Sequence, residues 1–507
     1  MLTKSKFVRG MECPKKLWLS ENHKELTIDK IDEQAVTEGK EVGKMAGKLF
    51  GNYVKVPFSA TEEMSDVTKD RISSKERIIA EATFVYGDLA CSVDYLENEE
   101  DGLVINEVKA KTSVRKDRKN NGESYEAELK PEYLNDVAFQ YHVLTGAGYR
   151  VKAVRFIILN KDYIRGDNLD VDKLFRVDDV TDEVVLRAES IAADIEILRS
   201  IMHCPSDPGD MLTLKCKSAS RCCDGWEFCG KHIARNSIFD LSGNGRKQEW
   251  IDKGLIAQKA LLDANVLKGK LKQQAEVQIS GESIISRKGI ANYISSLKFP
   301  LYFFDFESFM DAIPRYSKQW PYEQVTFQYS LHVIMEPGAK AIHREFLGRE
   351  GEDPRRALVE QLLTDIPEDG GSIIVYHSSF EEGRLKELAK IFPEHNERLL
   401  DMVNRLNDME VPFKERHYYI KEMNGRSSIK VVLPAIFPDD PALDYSRLPG
   451  VHKGDEAAMM FKRLQDLDEE ERMKQRQYLL MYCELDTFAM VKLYEHLLDV
   501  IDQDSEK

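Results

Sequence analysis

Residues 77–159 constrain the fold more than any other stretch. They hold three short apolar runs, "RIIAEATFVY", "LACSVDYLE" and "GLVINEVKAKT", separated by Gly87–Asp88 and by the polar turn "NEEDG". Runs of this length between turn residues predict strands. "PEYLNDVAFQYHVLTGAG" follows, with Leu134, Val137, Ala138 and Tyr141 at helical spacing, and then a further strand, "AVRFIIL". This β-β-β-α-β order predicts a mixed sheet flanked by helices.

At 507 residues the chain exceeds what one hydrophobic core serves. A helix is expected from about 184 to 203, then polar bridging sequence. A second α/β pattern opens at "FPLYFFDFESF" and closes on a long helix, "EEERMKQRQYLLMYCELDTFAMVKLYEHLLDVI". The predicted division is 1–235, a bridging region 236–296, and 297–507. With 32% charged residues, a mean hydropathy of -0.44 and no long apolar run, no membrane span is expected. The start, "MLTKSKFVRGMECPKKLWLS", lacks the apolar run of a secretory signal, so the expected location is cytoplasmic. The net charge of -16 argues against a large, uniformly basic nucleic-acid surface and leaves room for a local basic path.

Two sets of carboxylates carry the chemistry. In the first, Asp94 lies near the end of one strand, with Glu107 and Lys109 on one face of its hairpin partner. Asp136 and Gln140 share a face of the following helix. Two carboxylates can hold Mg²⁺ or Mn²⁺ while a lysine stabilises charge on a phosphodiester. A solvated hairpin with an ordinary cross-strand ion pair is the plain alternative. The basic run "KAKTSVRKDRK" reads as a phosphate-gripping loop or as a solvated one. In the second set, Asp305 and Glu307 sit two apart on an apolar strand, Glu381 follows "IIVYHSSF", and Tyr482 and Asp486 lie one helical turn apart. Buried carboxylates need a cationic partner. Lys430 and Arg426 are possible phosphate contacts or plain loop residues.

The order Asp94, Glu107-x-Lys109, Gln140 resembles the RecB-like branch of the PD-(D/E)XK nucleases. That resemblance implies that Asp94 and Glu107 bind metal, Lys109 is the catalytic lysine and Gln140 the auxiliary glutamine. Two positions depart from the pattern: Gly43 stands where a metal-binding histidine often lies, and Leu144 where a tyrosine is usual. The second set resembles the DEDD exonucleases of the RNase H-like fold, in the subclass with a Y-x-x-x-D motif. It implies that Asp305, Glu307, Glu381 and Asp486 bind metal and that Tyr482 positions the attacking water, with Glu381 one methylene longer than the usual aspartate.

Some RecB-like nucleases hold an iron–sulfur cluster with one cysteine near the N-terminus and three beyond the core. Here Cys13, Cys216, Cys229 and either Cys222 or Cys223 correspond, with Cys223 preferred on its spacing to Cys229. The resemblance implies a 4Fe–4S cluster, with a four-cysteine zinc site as the alternative. Across nearly the whole chain, "EVKAKTS", "LYFFDFESF", "FQYSLH", "SSIKVVLPAIFP" and "MYCELDT" resemble an uncharacterised family of bacterial two-domain nucleases. The implied fold is α/β, a PD-(D/E)XK mixed-sheet domain followed by an RNase H-like DEDD domain. The implied function is a metal-dependent nuclease with two active sites, acting on DNA over RNA and preferring single strands or ends, in repair or defence. Its rivals are an enzyme in which only the DEDD half cuts while the front half grips nucleic acid, and a non-catalytic nucleic-acid-binding scaffold. Nucleic acid is the expected partner, and protein partners are not readable from the sequence.

Overall fold

The structure is a computed structural model of the chain and describes residues 1–26, 33–116, 128–209, 212–217, 222–243 and 246–502. It is α/β and divides into two compact units. The first comprises Met1–Met211, Asp224–Lys231 and Asp311–Tyr322, and the second Leu212–Cys223, His232–Met310 and Glu323–Lys507. Among the described residues no helix is long and apolar enough to cross a membrane.

In the first unit the expected strands form β1 (Ile78–Tyr86), β2 (Leu89–Glu99), β3 (Gly102–Lys109) and β4 (Val151–Leu159), joined by β5 (Phe175–Asp179). They lie in that order in a seven-stranded sheet, completed by the short strands Val54–Lys55 beside β1 and Leu2–Thr3 beside β2. β1, β2 and β3 run antiparallel by tight turns. β3 and β4 are parallel, which requires a crossover between them. Asp94 lies in the middle of β2 and not near its end, because the acidic residues read as a turn continue the ladder to Glu99 opposite Gly102.

The helices α1 (Lys4–Glu12), α2 (Pro14–Asn22), the crossover α3 (Pro131–Gly146) and α4 (Thr181–Met202) form one layer, and Glu33–Ala46 and Thr61–Ser73 also pack on the sheet. The Thr3 hydroxyl caps α1, and Pro14, which needs no N–H partner, starts α2 directly after Cys13. Phe7 of α1 stacks on Phe139 of α3 at 4.8 Å, both fully buried. Each such side chain contributes about 2–3 kcal/mol by leaving water. Gly10 lets α1 approach α4, since a Cβ there would lie 2.7 Å from a Leu198 methyl. Leu144, where the resemblance leads to a tyrosine, is a fully buried core residue.

The second unit holds a five-stranded sheet. Its strands are β6 (Leu301–Phe309), β7 (Val325–Ile334), β8 (Ile342–Leu347), β9 (Ile373–Val375) and β10 (Leu406–Asp408). The spatial order is β8-β7-β6-β9-β10. β6, β7 and β8 form an antiparallel meander, while β9 runs parallel to both β6 and β10. Alternation along β6 splits the core. Tyr302, Phe304 and Phe306 pack with Leu358 and Leu385, whereas Leu301 and Phe303 pack with Leu493 and Tyr494 of α7 (Glu469–Asp502). Asp305 and Glu307 continue the second face. The expected bridging region belongs to this unit: Ile284–Ile285 pairs with Tyr418–Tyr419, and Gln278 Nε2 donates to the Lys421 carbonyl at 2.6 Å.

Candidate functional site

In the second unit, Asp305, Glu307 and Asp486 each offer a carboxylate oxygen within 4.8 Å of the others. The first two come from β6, opposite Ser330 and Gln328 of β7, and Asp486 from α7. Glu381 lies in the first turn of α5 (Ser379–Ile391), where the helix end favours an acid. It is 2% exposed, and its Oε2 has no hydrogen-bond partner among the described residues. Burial lifts all four carboxyls. Burial and the neighbouring acids push Glu307 up to about 8 and Asp305 well above the usual range. Glu381 is pushed to about 8 by burial, with Asp408 and Asp486 adding to it, and Asp486 to about 6 by burial.

Lys430 of α6 (Ile429–Ile436) opposes this rise at Glu307 and Asp486. Its ammonium donates to the Tyr482 hydroxyl at 3.1 Å, and the Tyr445 hydroxyl donates to Asp486 Oδ1 at 2.6 Å. Of the two residues read as phosphate contacts, Lys430 therefore lies at the site. Cys483 of α7 has its sulfur 3.8 Å from Asp305 Oδ2. The donor set is all oxygen, acidic and under-compensated, which fits hard cations such as Mg²⁺ or Mn²⁺.

A carboxyl whose folded-state pKa is raised carries stability that is present at low pH and lost as pH rises through the folded value. Metal-free protein is therefore expected to lose Tm between about pH 5 and pH 9, more steeply than an Asp305→Asn/Glu307→Gln variant. Millimolar Mg²⁺ should reverse the loss in wild type alone. A thermal melt in EDTA across that range, with identical slopes for both proteins, would refute the electrostatic reading.

Sequence reasoning missed Asp408, at the end of β10. It accepts from the backbone N–H groups of His377 (2.9 Å), Ser378 (3.2 Å) and Glu410 (2.9 Å). These bonds hold the entry to α5, where His377 has a φ of +69°, and so aim Glu381.

In the first unit the structure brings together Asp94, Glu107, Lys109 and Gln140, with Asp136 and the unanticipated Lys4. Glu107 Oε1 accepts from both Lys4 and Lys109 at 2.9 Å, and its Oε2 from Gln140 Nε2 at 2.9 Å. Asp136 faces Lys109 at 2.6 Å and Lys4 at 3.3 Å, while Asp94 Oδ2 accepts from the Val108 N–H at 2.8 Å. Burial would raise Glu107, but Lys109 and Lys4 outweigh it and hold the carboxyl well below its usual range. Burial also opposes the Lys4 charge, yet Glu107, Asp136 and Asp94 hold its pKa well above normal. Asp94 is pushed up to about 7 by burial and by Glu107. Both oxygens of Glu107 are thus engaged by N–H donors, an arrangement closed by ammonium groups that does not fit a metal ion as it stands. Lys4, Arg9, Lys16, Glu12 and Asp136 line a cavity of about 340 Å³ beside it. In the basic run, Arg115 pairs with Glu183 at 3.0 Å and Lys116 with Glu128 at 3.5 Å. Its last three residues, 117–119, lie outside the described residues.

Cys13 and Cys229 fall in the first unit and Cys216 and Cys223 in the second. Cys223 N–H donates to the Cys216 carbonyl at 2.8 Å, and the Thr213 N–H points at Cys216 Sγ at 3.3 Å. Cys222 is exposed, with its thiol 3.6 Å from the Cys223 carbonyl. Among the described residues, two groups of three or more metal-ligating side chains converge, both in the second unit and neither with a cysteine.

The family described as "Domain of unknown function (DUF2779)" matches residues 302–428, which include Asp305, Glu307 and Glu381. The chain is 31% identical over 241 residues to "Uncharacterized protein MG366 homolog" of Mycoplasma pneumoniae, covering 42% of this chain and 35% of that protein. It is 26% identical over 269 residues to "Uncharacterized protein UU173" of Ureaplasma parvum, covering 48% and 38%. To "Uncharacterized protein MG366" of Mycoplasma genitalium it is 26% identical over 298 residues, covering 52% and 44%. The chain thus spans less than half the length of these relatives. No solved structure matches. What this chain is similar to is a set of proteins whose names carry no activity.

Proposed function

We propose that this chain is a metal-dependent nuclease whose cutting centre is Asp305, Glu307, Glu381 and Asp486, acting on DNA over RNA and preferring single strands or ends. The observation that carries the reading is the convergence of buried carboxylates whose charge Lys430 offsets only in part. The sheet supports it as well. A three-strand meander followed by two strands parallel to the first is the arrangement an RNase H-like domain requires.

Two divalent ions held by these carboxylates would activate water and stabilise the leaving 3′ oxygen. The chain's own residues do the positioning. Because the Tyr482 oxygen accepts from Lys430, its proton is available to hold a water beside Asp305 and Glu307. Lys430 places a cation at the rim, where a phosphate arrives. Digestion of 3′-end-labelled single- and double-stranded DNA and RNA tests this. Mg²⁺- or Mn²⁺-dependent release of the label as a mononucleotide, abolished by EDTA, is expected. Protein that binds Mn²⁺ and cuts none of these substrates would overturn it.

A second reading concerns the first unit, and Lys4 favours it: this half grips nucleic acid and does not cut. A basic-lined cavity beside an ammonium-filled carboxylate network suits phosphate contact better than metal catalysis. On the sequence resemblance we further propose Cys13, Cys216, Cys223 and Cys229 as ligands of an iron–sulfur cluster. Protein purified without air is expected to be brown and to lose that colour on Cys13→Ser, with Cys222→Ser keeping it. Colourless wild type carrying zinc would favour the four-cysteine zinc site.

A further inference from the structure

His332 of β7, His343 of β8 and Glu484 of α7 converge away from the carboxylate cluster. One ligand atom of each lies within 4.8 Å of the other two, and His343 Nδ1 is already 3.7 Å from Glu484 Oε1. The two histidines pair in register across the strands, and their rings stack at 4.6 Å. His332 is buried, His343 half-buried and Glu484 exposed.

Hydroxyls tie one nitrogen of each ring. Thr487 Oγ1 lies 2.8 Å from His332 Nδ1 and 2.7 Å from Ser330 Oγ, and Ser330 Oγ lies 2.9 Å from His343 Nε2. With Thr487 donating to the Glu484 carbonyl at 3.1 Å, the chain is satisfied when each neutral imidazole carries its hydrogen on the tied nitrogen. His332 Nε2 and His343 Nδ1 are then the lone-pair nitrogens, and His343 Nδ1 faces the Glu484 carboxylate. Outer hydrogen bonds that fix tautomer and ring orientation are the usual support of metal-binding histidines. At 3.7 Å, His343 and Glu484 are too far apart for a hydrogen bond. A tetrahedral zinc with bonds of about 2.0–2.1 Å spaces its donors about 3.4 Å apart, within a rotamer shift of this arrangement.

We propose that His332, His343 and Glu484 bind a transition-metal dication of the zinc class. The ion clamps α7 onto β7 and β8 at a site distinct from the carboxylate cluster. Because Asp486 lies on the same helix, next to Thr487, the clamp fixes the register at which the helix presents it. The inference goes beyond the nuclease reading and does not depend on it.

The test uses the full chain, stripped with chelator and dialysed against Zn²⁺, with bound zinc measured by mass spectrometry and Tm by thermal melt. His343→Asn and Glu484→Gln alter partly exposed residues and leave the core intact. Wild type is expected to hold one more zinc per chain than His343→Asn, and Glu484→Gln to bind it at least tenfold more weakly. His343→Asn should remove the same one zinc in an Asp305→Asn background, so that zinc held by the carboxylate cluster does not enter the difference. Any zinc at the cysteines is common to all these proteins and cancels. Equal zinc content and an equal zinc-induced rise in Tm in wild type and His343→Asn would overturn the proposal, and equal zinc content in Asp305→Asn with and without His343→Asn would overturn the separateness of the site.

Discussion

Asp305→Ala is expected to lower metal-dependent cleavage by at least about 10³-fold, whereas Asp94→Ala lowers it by less than about tenfold. The asymmetry follows from what each carboxylate faces. Asp305 is surrounded by acids, and its nearest sulfur, Cys483, is a weak donor, so a divalent ion supplies the charge the pocket lacks. Asp94 already accepts a backbone N–H, and the acids beside it already hold two lysines. Removing it perturbs a grip and leaves the cutting centre intact. Rates on end-labelled single-stranded DNA for the two single variants decide the matter. Comparable losses in both would restore a two-site enzyme.

Lys4→Ala should destabilise the first unit markedly. Deleting one partner of a buried ion pair costs about 3–5 kcal/mol because the other charge stays behind. The Lys4 side chain is 22% exposed, so screening reduces this to about 2 kcal/mol. For a unit of this size that is roughly 4–8 °C in Tm. The loss should be partly recovered by millimolar Mn²⁺, because the vacated place is bounded by Glu107, Asp136 and Asp94 and accepts a dication as it accepted an ammonium. Wild type should show little Mn²⁺ response there in an Asp305→Asn/Glu307→Gln background. A Lys4→Ala protein as stable as wild type would show that the network does not need the lysine.

The parts legible in sequence were those with a local period. β1 to β4, α3 and α7 follow from alternation and helical spacing, and Asp305 with Glu307 stood out because two acids interrupt an apolar strand. Lys4 was not legible. It meets Glu107 across 103 positions, and nothing in "MLTKSKF" distinguishes it from a surface lysine. Asp408 ends a strand of three residues, too short to show alternation. His332 and His343 occupy opposed positions on neighbouring strands, a relation set by register and invisible in linear spacing. The grouping of residues 311–322 with the first unit is also non-local: Arg165 N–H donates to the Gln319 carbonyl, and the Tyr322 hydroxyl donates to Glu38 at 2.7 Å.

The helix Glu469–Asp502 is 34 residues long, about 50 Å at 1.5 Å per residue. Along it, Tyr482 and Asp486 address the carboxylate pocket while Glu484 and Thr487 address the histidines. A helix turns 100° with every residue, so one residue gained or lost between Tyr482 and Thr487 would swing one set out of place whatever its chemistry. In this segment the number of residues constrains both sites at once: a substitution alters one side chain, and an insertion re-aims all that follow.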